Sequence, residues 1–246
     1  MKSSILIFTF ASLGLYGQDA RISRMLDDQL NVAQRNDACY ELQGARSAEA
    51  IAAMSRALDV PTLRSCAARN LREAGAVDDL KRALAGSDPE IRAVAARELG
   101  ALARPELMEM LFQTARDSNL VVATSAFEGL TNYQDPAVLP HLLDLADGGG
   151  LVAAMALSRA VQFHDARVLP VARRMEDSKD VPLRLAALRA IGDLGDASDL
   201  PALQKLAAKA ENVVANGRGF GLVPALDLSR AAQNAIRQIE SRKGNG

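Results

Sequence analysis

Apolar positions along the chain recur at helical spacing, and the same short pattern returns about every thirty residues. Between residues 88 and 102 the sequence reads DPEIRAVAARELGAL. An apolar residue, an arginine, two residues and an alanine are followed there by a second small residue and, three positions later, a leucine. Related stretches occupy residues 63–71 and 183–191. Apolar residues three and four positions apart share one face of an α-helix, so the pattern predicts one amphipathic helix that is repeated several times.

The repeats can be aligned on a central alanine. Successive central alanines are 29, 28, 31, 30, 31 and 45 residues apart. A period this regular over most of a chain is typical of a solenoid, in which each unit buries its apolar face against the next. The seven central alanines are Ala38, Ala67, Ala95, Ala126, Ala156, Ala187 and Ala232.

Each period divides into two helices. Asp88 and Pro89 form a helix cap and a first helical residue, and Pro105 opens the first helix of the next period. Prolines stand at comparable entries in Val60-Pro61, Asp135-Pro136 and Val181-Pro182. Hydrophobic residues make up 49% of the chain, mostly Ala and Leu, with aromatics at 4% and no Trp, which favours helices over strands.

The sequence therefore predicts an all-α protein, a right-handed α-solenoid of about six to seven helical hairpins. We expect one array over residues 18–243. Its predicted repeats lie near residues 20–43, 46–74, 76–102, 104–132, 136–163, 165–193 and 197–241.

The helix pair, the period and the Asp88-Pro89, Arg92 and Ala95 pattern resemble HEAT-like repeats, particularly the short variety named after phycobilisome lyases. The resemblance extends from about Ala20 to about Ile239. It implies a solenoid whose second helices line the inner curve, but it says little about function, because one fold serves many functions. A chromophore or cofactor lyase is the enzymatic alternative that the resemblance implies.

The first residues follow a different pattern. Lys2 precedes an uncharged apolar stretch, residues 5–16, and Gly17 is a suitable last residue before a cleavage site. This order predicts a secretory signal peptide over residues 1–17 and a periplasmic or secreted protein; a buried N-terminal helix is the alternative. We expect no membrane span after cleavage, because no other apolar run is long enough.

Charge gives no reason to expect a nucleic-acid or anionic-membrane partner. Loss of the predicted signal peptide removes one charged residue, Lys2, and changes the net charge from −1 to −2. We expect a protein or peptide partner and a monomeric chain.

The two cysteines are predicted to form a disulfide. Cys39 follows its central alanine by one residue and Cys66 precedes its own by one residue, so they lie on opposite flanks of neighbouring helices. An exported chain is folded in an oxidising compartment, where disulfides persist. Two buried free thiols remain the alternative.

Motifs for chemistry are scarce. His141 and Asp144 are three residues apart on a predicted helix, but no third ligand is evident, and a solvated polar face is the simpler interpretation. Some HEAT-like enzymes bind iron through repeated His-Glu pairs; His164-Asp165 is the nearest approach to one in this sequence. We expect no catalytic residue, no metal and no cofactor.

Two stretches depart from the repeat. Residues 147–152 read DGGGLV, and Ala153 stands where other repeats have arginine, which predicts a wider turn or a bend rather than a ligand site. Residues 212–224 lengthen the last period. Arg218 and Phe220 in that stretch are candidates for partner recognition, with a flexible connection to the last helix as the alternative.

Recurring positions also predict contacts. Three arginines, Arg64, Arg92 and Arg184, precede their central alanines by three residues, and we expect them to bond to neighbouring repeats. The position two residues after each central alanine faces away from the buried stripe and predicts a polar partner-binding groove. Its residues are Tyr40, Arg69, Arg97, Glu128, Ser158, Arg189 and Asn234. The predicted function is a non-catalytic exported scaffold or adaptor that binds a protein or peptide along this groove.

Overall fold

The computed structural model describes residues 19–208, 212–213 and 226–243. The helices are joined by short turns and loops, and the described residues also contain two-residue strands β1 (Asn212–Val213) and β2 (Leu226–Asp227), which pair antiparallel. The prediction of an all-α protein is therefore confirmed. The predicted signal peptide, Arg218 and Phe220 lie outside the described residues. Within the described ranges, none of the helices combines the length and the apolar character needed to cross a membrane.

The chain divides into two compact units, Met1–Ala76 and Val77–Gly246. In the first unit, α1 pairs with α2 and α3 with α4, and each pair also contacts the other. Two helical hairpins therefore pack together in this unit. Its helices are α1 (Ala20–Leu26), α2 (Val32–Glu41), α3 (Ala48–Ala57) and α4 (Arg64–Ala74).

The second unit is a stack of helical hairpins. Each odd-numbered helix pairs with the even-numbered helix that follows it, and successive even-numbered helices contact one another. This arrangement is an α-solenoid; its hand stays a prediction, as does one continuous array over residues 18–243. The helices are α5 (Val77–Leu84), α6 (Pro89–Gly100), α7 (Pro105–Thr114), α8 (Leu120–Leu130), α9 (Leu139–Ala146), α10 (Gly150–Val161), α11 (Val168–Met175), α12 (Val181–Leu194), α13 (Leu200–Ala207) and α14 (Leu228–Lys243).

The central alanines lie in the buried core. All seven, from Ala38 to Ala232, are 0% exposed. Because alanine adds only one methyl group, it allows neighbouring helix axes to approach closely where larger side chains would hold them apart. The register that the sequence pattern indicates is thus the register of the folded chain.

Helix starts follow the predicted caps in part. The Asp88 carboxylate accepts a hydrogen bond from the backbone N–H of Glu90 (2.8 Å), and α6 begins at Pro89. Pro136 begins a 3-10 turn over Pro136–Val138 rather than an α-helix. Pro61 lies in a turn, and α4 begins three residues later, at Arg64.

The recurring arginines bind the ends of helices. Arg64 donates to the carbonyl of Leu58 (2.9 Å) and Arg184 to the carbonyl of Glu176 (2.7 Å), each at the end of the first helix of its own hairpin. Arg92 also reaches the next hairpin, where its Nε lies 3.2 Å from Asp117 Oδ2. The predicted bond between neighbouring repeats is confirmed for Arg92.

Candidate functional site

The second unit contains a groove of about 1070 Å³ that crosses four successive second helices, α8, α10, α12 and α14. The groove lies on the side of these helices that is opposite the buried central alanines. Concave surfaces that combine apolar and polar side chains are the usual places for ligands.

Apolar residues form the floor of the groove. Phe127 and Ala235 are almost fully buried where they line it, and Met155 and Leu185 are half-buried, so part of each side chain faces the open space. A floor of this kind offers a partner apolar surface to cover.

The rim of the groove is polar, with cationic side chains. Among the described residues that line the groove, none is Asp, Glu, His or Cys. Arg189 and Arg237 are exposed, and Arg237 Nη2 donates to Asn234 Oδ1. Gln238 donates through Nε2 to Asp193 Oδ1 (2.9 Å). The polar side chains that line the groove are therefore cations, amides and hydroxyls.

Arg159 lines the groove, but its guanidinium group is hydrogen-bonded to other residues of the chain. Its Nη2 donates to the Tyr133 carbonyl (3.3 Å) and to Gln134 Oε1 (3.0 Å), and its Nη1 donates to Gln162 Oε1. The guanidinium carbon also lies 5.4 Å from the centre of the Phe163 ring. Arg159 thus ties the turn after α8 to α10.

Neighbouring second helices approach one another to different degrees. In α6 and α8, a Cβ built on Gly100 would lie 2.2 Å from the Gly129 Cα, so these two backbones are in direct contact. The equivalent positions in α8 and α10 are Thr131 and Arg159, and these helices contact each other much less extensively. The groove opens at this junction.

The glycine stretch before α10 adopts backbone angles that only glycine tolerates well. Gly149 has φ 78° and ψ 174°, and Gly150 has φ 76°. Asp180 Oδ2 accepts a hydrogen bond from the Gly150 N–H (2.6 Å), which joins the start of α10 to the start of α12. The connection from α9 to α10 spans residues 147–149 and is shorter than the connections that precede α6, α8 and α12, so the prediction of a wider turn is wrong. The predicted bend in the array stays a prediction.

The predicted partner-binding residues are spread over both units. Ser158, Arg189 and Asn234 line the groove. Arg97 and Glu128 are exposed on the second unit, but outside the lining. Tyr40 and Arg69 are exposed on α2 and α4 of the first unit. A binding role for these residues stays a prediction.

Sequence reasoning missed the other polar and apolar residues of the groove. Arg159 and Arg237 stand three and five positions after their central alanines, and Met155 and Leu185 one and two positions before theirs. A helix arc wider than the single position that we considered would have included them, because these positions flank it at 100° per residue.

Exposed apolar side chains also lie at the starts of two of the helices that form the groove. Leu120 and Val121 on α8 and Leu151 on α10 are 56%, 47% and 45% exposed. Val121 and Leu151 precede their central alanines by five residues, as does Pro182, which lines the groove. Clustered exposed apolar residues are typical of interaction surfaces.

The predicted disulfide is confirmed. Cys39 on α2 and Cys66 on α4 are bonded, with their Cα atoms 6.3 Å apart. Both are buried, and Asn70 Nδ2 donates to the Cys39 carbonyl (2.6 Å) beside them. The bond therefore joins the two hairpins of the first unit and has a structural position.

His141 lies in an apolar and acidic setting rather than a metal site. Its ring stacks on Phe112 with centroids 4.9 Å apart, and its Nδ1 lies 3.5 Å from Glu109 Oε2. Asp144 instead pairs with Arg116. Over the part of the chain that the structure describes, His, Cys, Asp and Glu form no group of three that could hold a metal ion.

One family model and several solved structures are similar to this chain. The chain is similar to human deoxyhypusine hydroxylase in complex with glycerol, with 19% identity, 90% of this chain and 95% of that chain covered, and a TM-score of 0.40. It is also similar to an engineered protein, with 17% identity, 90% and 96% coverage and a TM-score of 0.31. No curated protein is a significant match. A family model described as HEAT repeats matches residues 77–158, so this part of the chain is similar to HEAT repeats.

Proposed function

We propose that the protein is a non-catalytic scaffold that binds a segment of another protein in the groove formed by α8, α10, α12 and α14. The observation that carries this proposal is the lining of the groove, in which a buried apolar floor is bordered by arginine, amide and hydroxyl side chains. Helical repeat arrays present such extended surfaces to macromolecular partners.

The composition of the lining suits binding better than catalysis. Arginine is enriched among residues that contribute most to protein interfaces, and methionine adapts its shape to different apolar partners. General acid–base chemistry usually relies on histidine, carboxylate or cysteine side chains, which do not occur among the described lining residues. The described lining residues of the groove therefore include none that supports the lyase-like alternative.

We also propose that the scaffold is exported to the periplasm or secreted. The residues before Gln18 follow the order of a signal peptide, and the Cys39–Cys66 disulfide is of the kind that persists in an oxidising compartment. Intact-mass analysis of the protein purified from its native source tests the proposal. A mature chain that begins at about residue 18 and contains no free thiol supports export, whereas an intact Met1–Gly17 segment contradicts it.

Site-specific photo-crosslinking tests the binding function. A photoreactive amino acid is placed at Asn234, which lines the groove, and in a matched variant at Asp78, whose side chain is 91% exposed on α5. We expect a discrete protein adduct from Asn234 in extracts of the source cells, and loss of that adduct when Arg189 is changed to Glu. The same adducts from both positions, or none from Asn234, would contradict binding in the groove.

A further inference from the structure

We propose that the groove selects an extended segment of about eight residues that combines acidic and aliphatic side chains. This inference rests on the proposed function and specifies the chemistry of its partner. Three observations carry it: the length of the groove, the charge on its rim that is not paired with described residues, and the apolar residues of its floor.

The groove is long enough to hold an extended segment. It crosses α8, α10, α12 and α14, and four helices at an axis spacing of about 8–10 Å span at least about 27 Å. An extended chain rises about 3.3 Å per residue, so about eight residues cross the four helices.

The charge of the groove is positive and is concentrated on α12 and α14. Arg189 forms no hydrogen bond or ion pair with the described residues, and Arg237 is bonded to the neutral amide of Asn234. Arg159, in contrast, donates through Nη2 to the turn after α8. Partner carboxylates over α12 and α14 would find guanidinium groups that are not neutralised by the lining, and pairs of this kind form bidentate hydrogen bonds.

Amide side chains suit an extended backbone. Gln162 is exposed on α10 and Asn234 on α14, both within the lining. Each amide oxygen already accepts one bond from an arginine of the lining, but it has a second lone pair, and the amide nitrogen carries two donors. Each amide can therefore still pair with the N–H and C=O of a partner residue that has no partner within its own chain. A helix would offer few of these groups, because its backbone bonds are satisfied internally.

Apolar contacts account for the aliphatic part of the segment. Met155 and Leu185 are half-buried in the floor, so each can be covered further by an aliphatic side chain of the partner. In an extended chain, successive side chains point to opposite sides. Alternate residues of the segment can therefore cover the floor while the others reach the arginines on the rim.

Selection from a displayed library of random peptides about ten residues long tests this inference with the full chain as bait. Three forms of the protein are compared: the wild type, the double variant Arg189→Glu/Arg237→Glu, and the control Arg97→Glu, which carries the same kind of charge change on α6 outside the groove. We expect peptides rich in Asp or Glu and in aliphatic residues from the wild type and the control, but not from the double variant.

Affinity measurements on one selected peptide sharpen the test. We expect the double variant to weaken binding at least about tenfold and added salt to weaken it further, because the contacts are charge-assisted and partly exposed. A version of the same peptide cross-linked into a helix should bind more weakly than the linear one. Selection of no peptide or of neutral or basic peptides, equal selection by the double variant, or tighter binding of the helical version would each overturn the inference.

Failure of this inference is distinguishable from failure of the proposed function. If an adduct forms at Asn234 and is lost in Arg189→Glu, but the library shows no preference for acidic peptides, the groove binds a partner of different chemistry. If neither the crosslink nor the library identifies a ligand, both proposals fail.

Discussion

Two glycine pairs in the second unit have opposite structural roles. Gly100 and Gly129 lie inside α6 and α8, where a Cβ on Gly129 would be 2.8 Å from the Gly100 Cα and 3.2 Å from the Ala96 carbonyl oxygen. Gly149 and Gly150 lie at the start of α10, where an added Cβ meets no described atom within 4 Å, but both residues have positive φ.

The first pair removes bulk, and the second pair permits an unusual backbone. As a result, α6 and α8 pack backbone to backbone, whereas α10 starts from a glycine turn with positive φ, and Thr131 and Arg159 stand between α10 and α8. Neighbouring second helices are thus in close contact at the α6–α8 junction, which is closed, and are held apart at the α8–α10 junction, which is open. The open junction is part of the groove, so the repeat is interrupted where the candidate site lies.

Substitutions at Gly129 should have the largest effect and should scale with side-chain size. We expect Gly129→Ala to lower the free energy of unfolding by about 1–3 kcal/mol, because overpacking outweighs a helix-propensity gain of about 1 kcal/mol, and Gly129→Leu to lower it considerably more. Urea denaturation of the full chain measures both. Glu128→Ala and Glu128→Leu, at the exposed neighbouring position, should stay within about 0.5 kcal/mol of the wild type. Equal costs for Ala and Leu at position 129 would show that the close contact is not the cause.

Substitutions at Gly149 should be costly but independent of size. The angles φ 78° and ψ 174° are strained for any L-residue with a Cβ, so Gly149→Ala and Gly149→Leu should each cost about 1–3 kcal/mol. Gly148, one residue earlier, lacks a positive φ, and Gly148→Ala is the matched control with a smaller cost. The same denaturation series measures them. A cost that rises steeply from Ala to Leu at position 149 would remove the contrast between the two pairs.

The sequence predicted these two features unequally. Three consecutive glycines are a local signal, so the turn at residues 147–152 could be predicted from the chain alone. The contact between Gly100 and Gly129 joins residues that belong to different hairpins, and each glycine taken singly has no distinctive neighbours. The contact depends on the distance between two helix axes, which the repeat period does not determine.

The same distinction holds for the disulfide and the groove. Cys39 and Cys66 could be paired because each stands one residue from a central alanine, which fixes its angle around a helix. Arg189 could be predicted as a groove residue because it stands two residues after its central alanine. Arg237 and Arg159 became part of the groove through the spacing of particular helices, and whether Arg159 faces the solvent or the turn after α8 depends on Tyr133 and Gln134.

Removal of Arg159 should have an intermediate effect on stability. Arg159→Ala deletes the hydrogen bonds to the Tyr133 carbonyl and Gln134 Oε1, and we expect a loss of about 1–2 kcal/mol. Arg159→Lys should recover only part of it, because an ammonium lacks the planar fork that binds two acceptors. Arg189→Ala is the matched control, since Arg189 lines the same groove without a bond to the described residues, and thermal unfolding compares all three. Equal losses for Arg159→Ala and Arg189→Ala would rule out Arg159 as the residue that holds the open junction.

The smallest expected effect concerns the hydrogen bond that joins α10 to α12. Asp180 accepts through Oδ1 from the Leu183 N–H (3.2 Å) and through Oδ2 from the Gly150 N–H (2.6 Å). In Asp180→Ser the hydroxyl can still cap α12, but a single oxygen cannot serve both amides, so stability should fall by less than about 1 kcal/mol. Amide hydrogen exchange gives the sharper readout: the Gly150 N–H should exchange faster while the Leu183 N–H keeps its protection. Asp135→Ser, which alters a cap bonded to the Ala137 N–H, should leave Gly150 unchanged. If the Gly150 N–H keeps its protection in Asp180→Ser, the start of α10 is held by its glycine backbone alone, and the open junction needs no bond from the neighbouring hairpin.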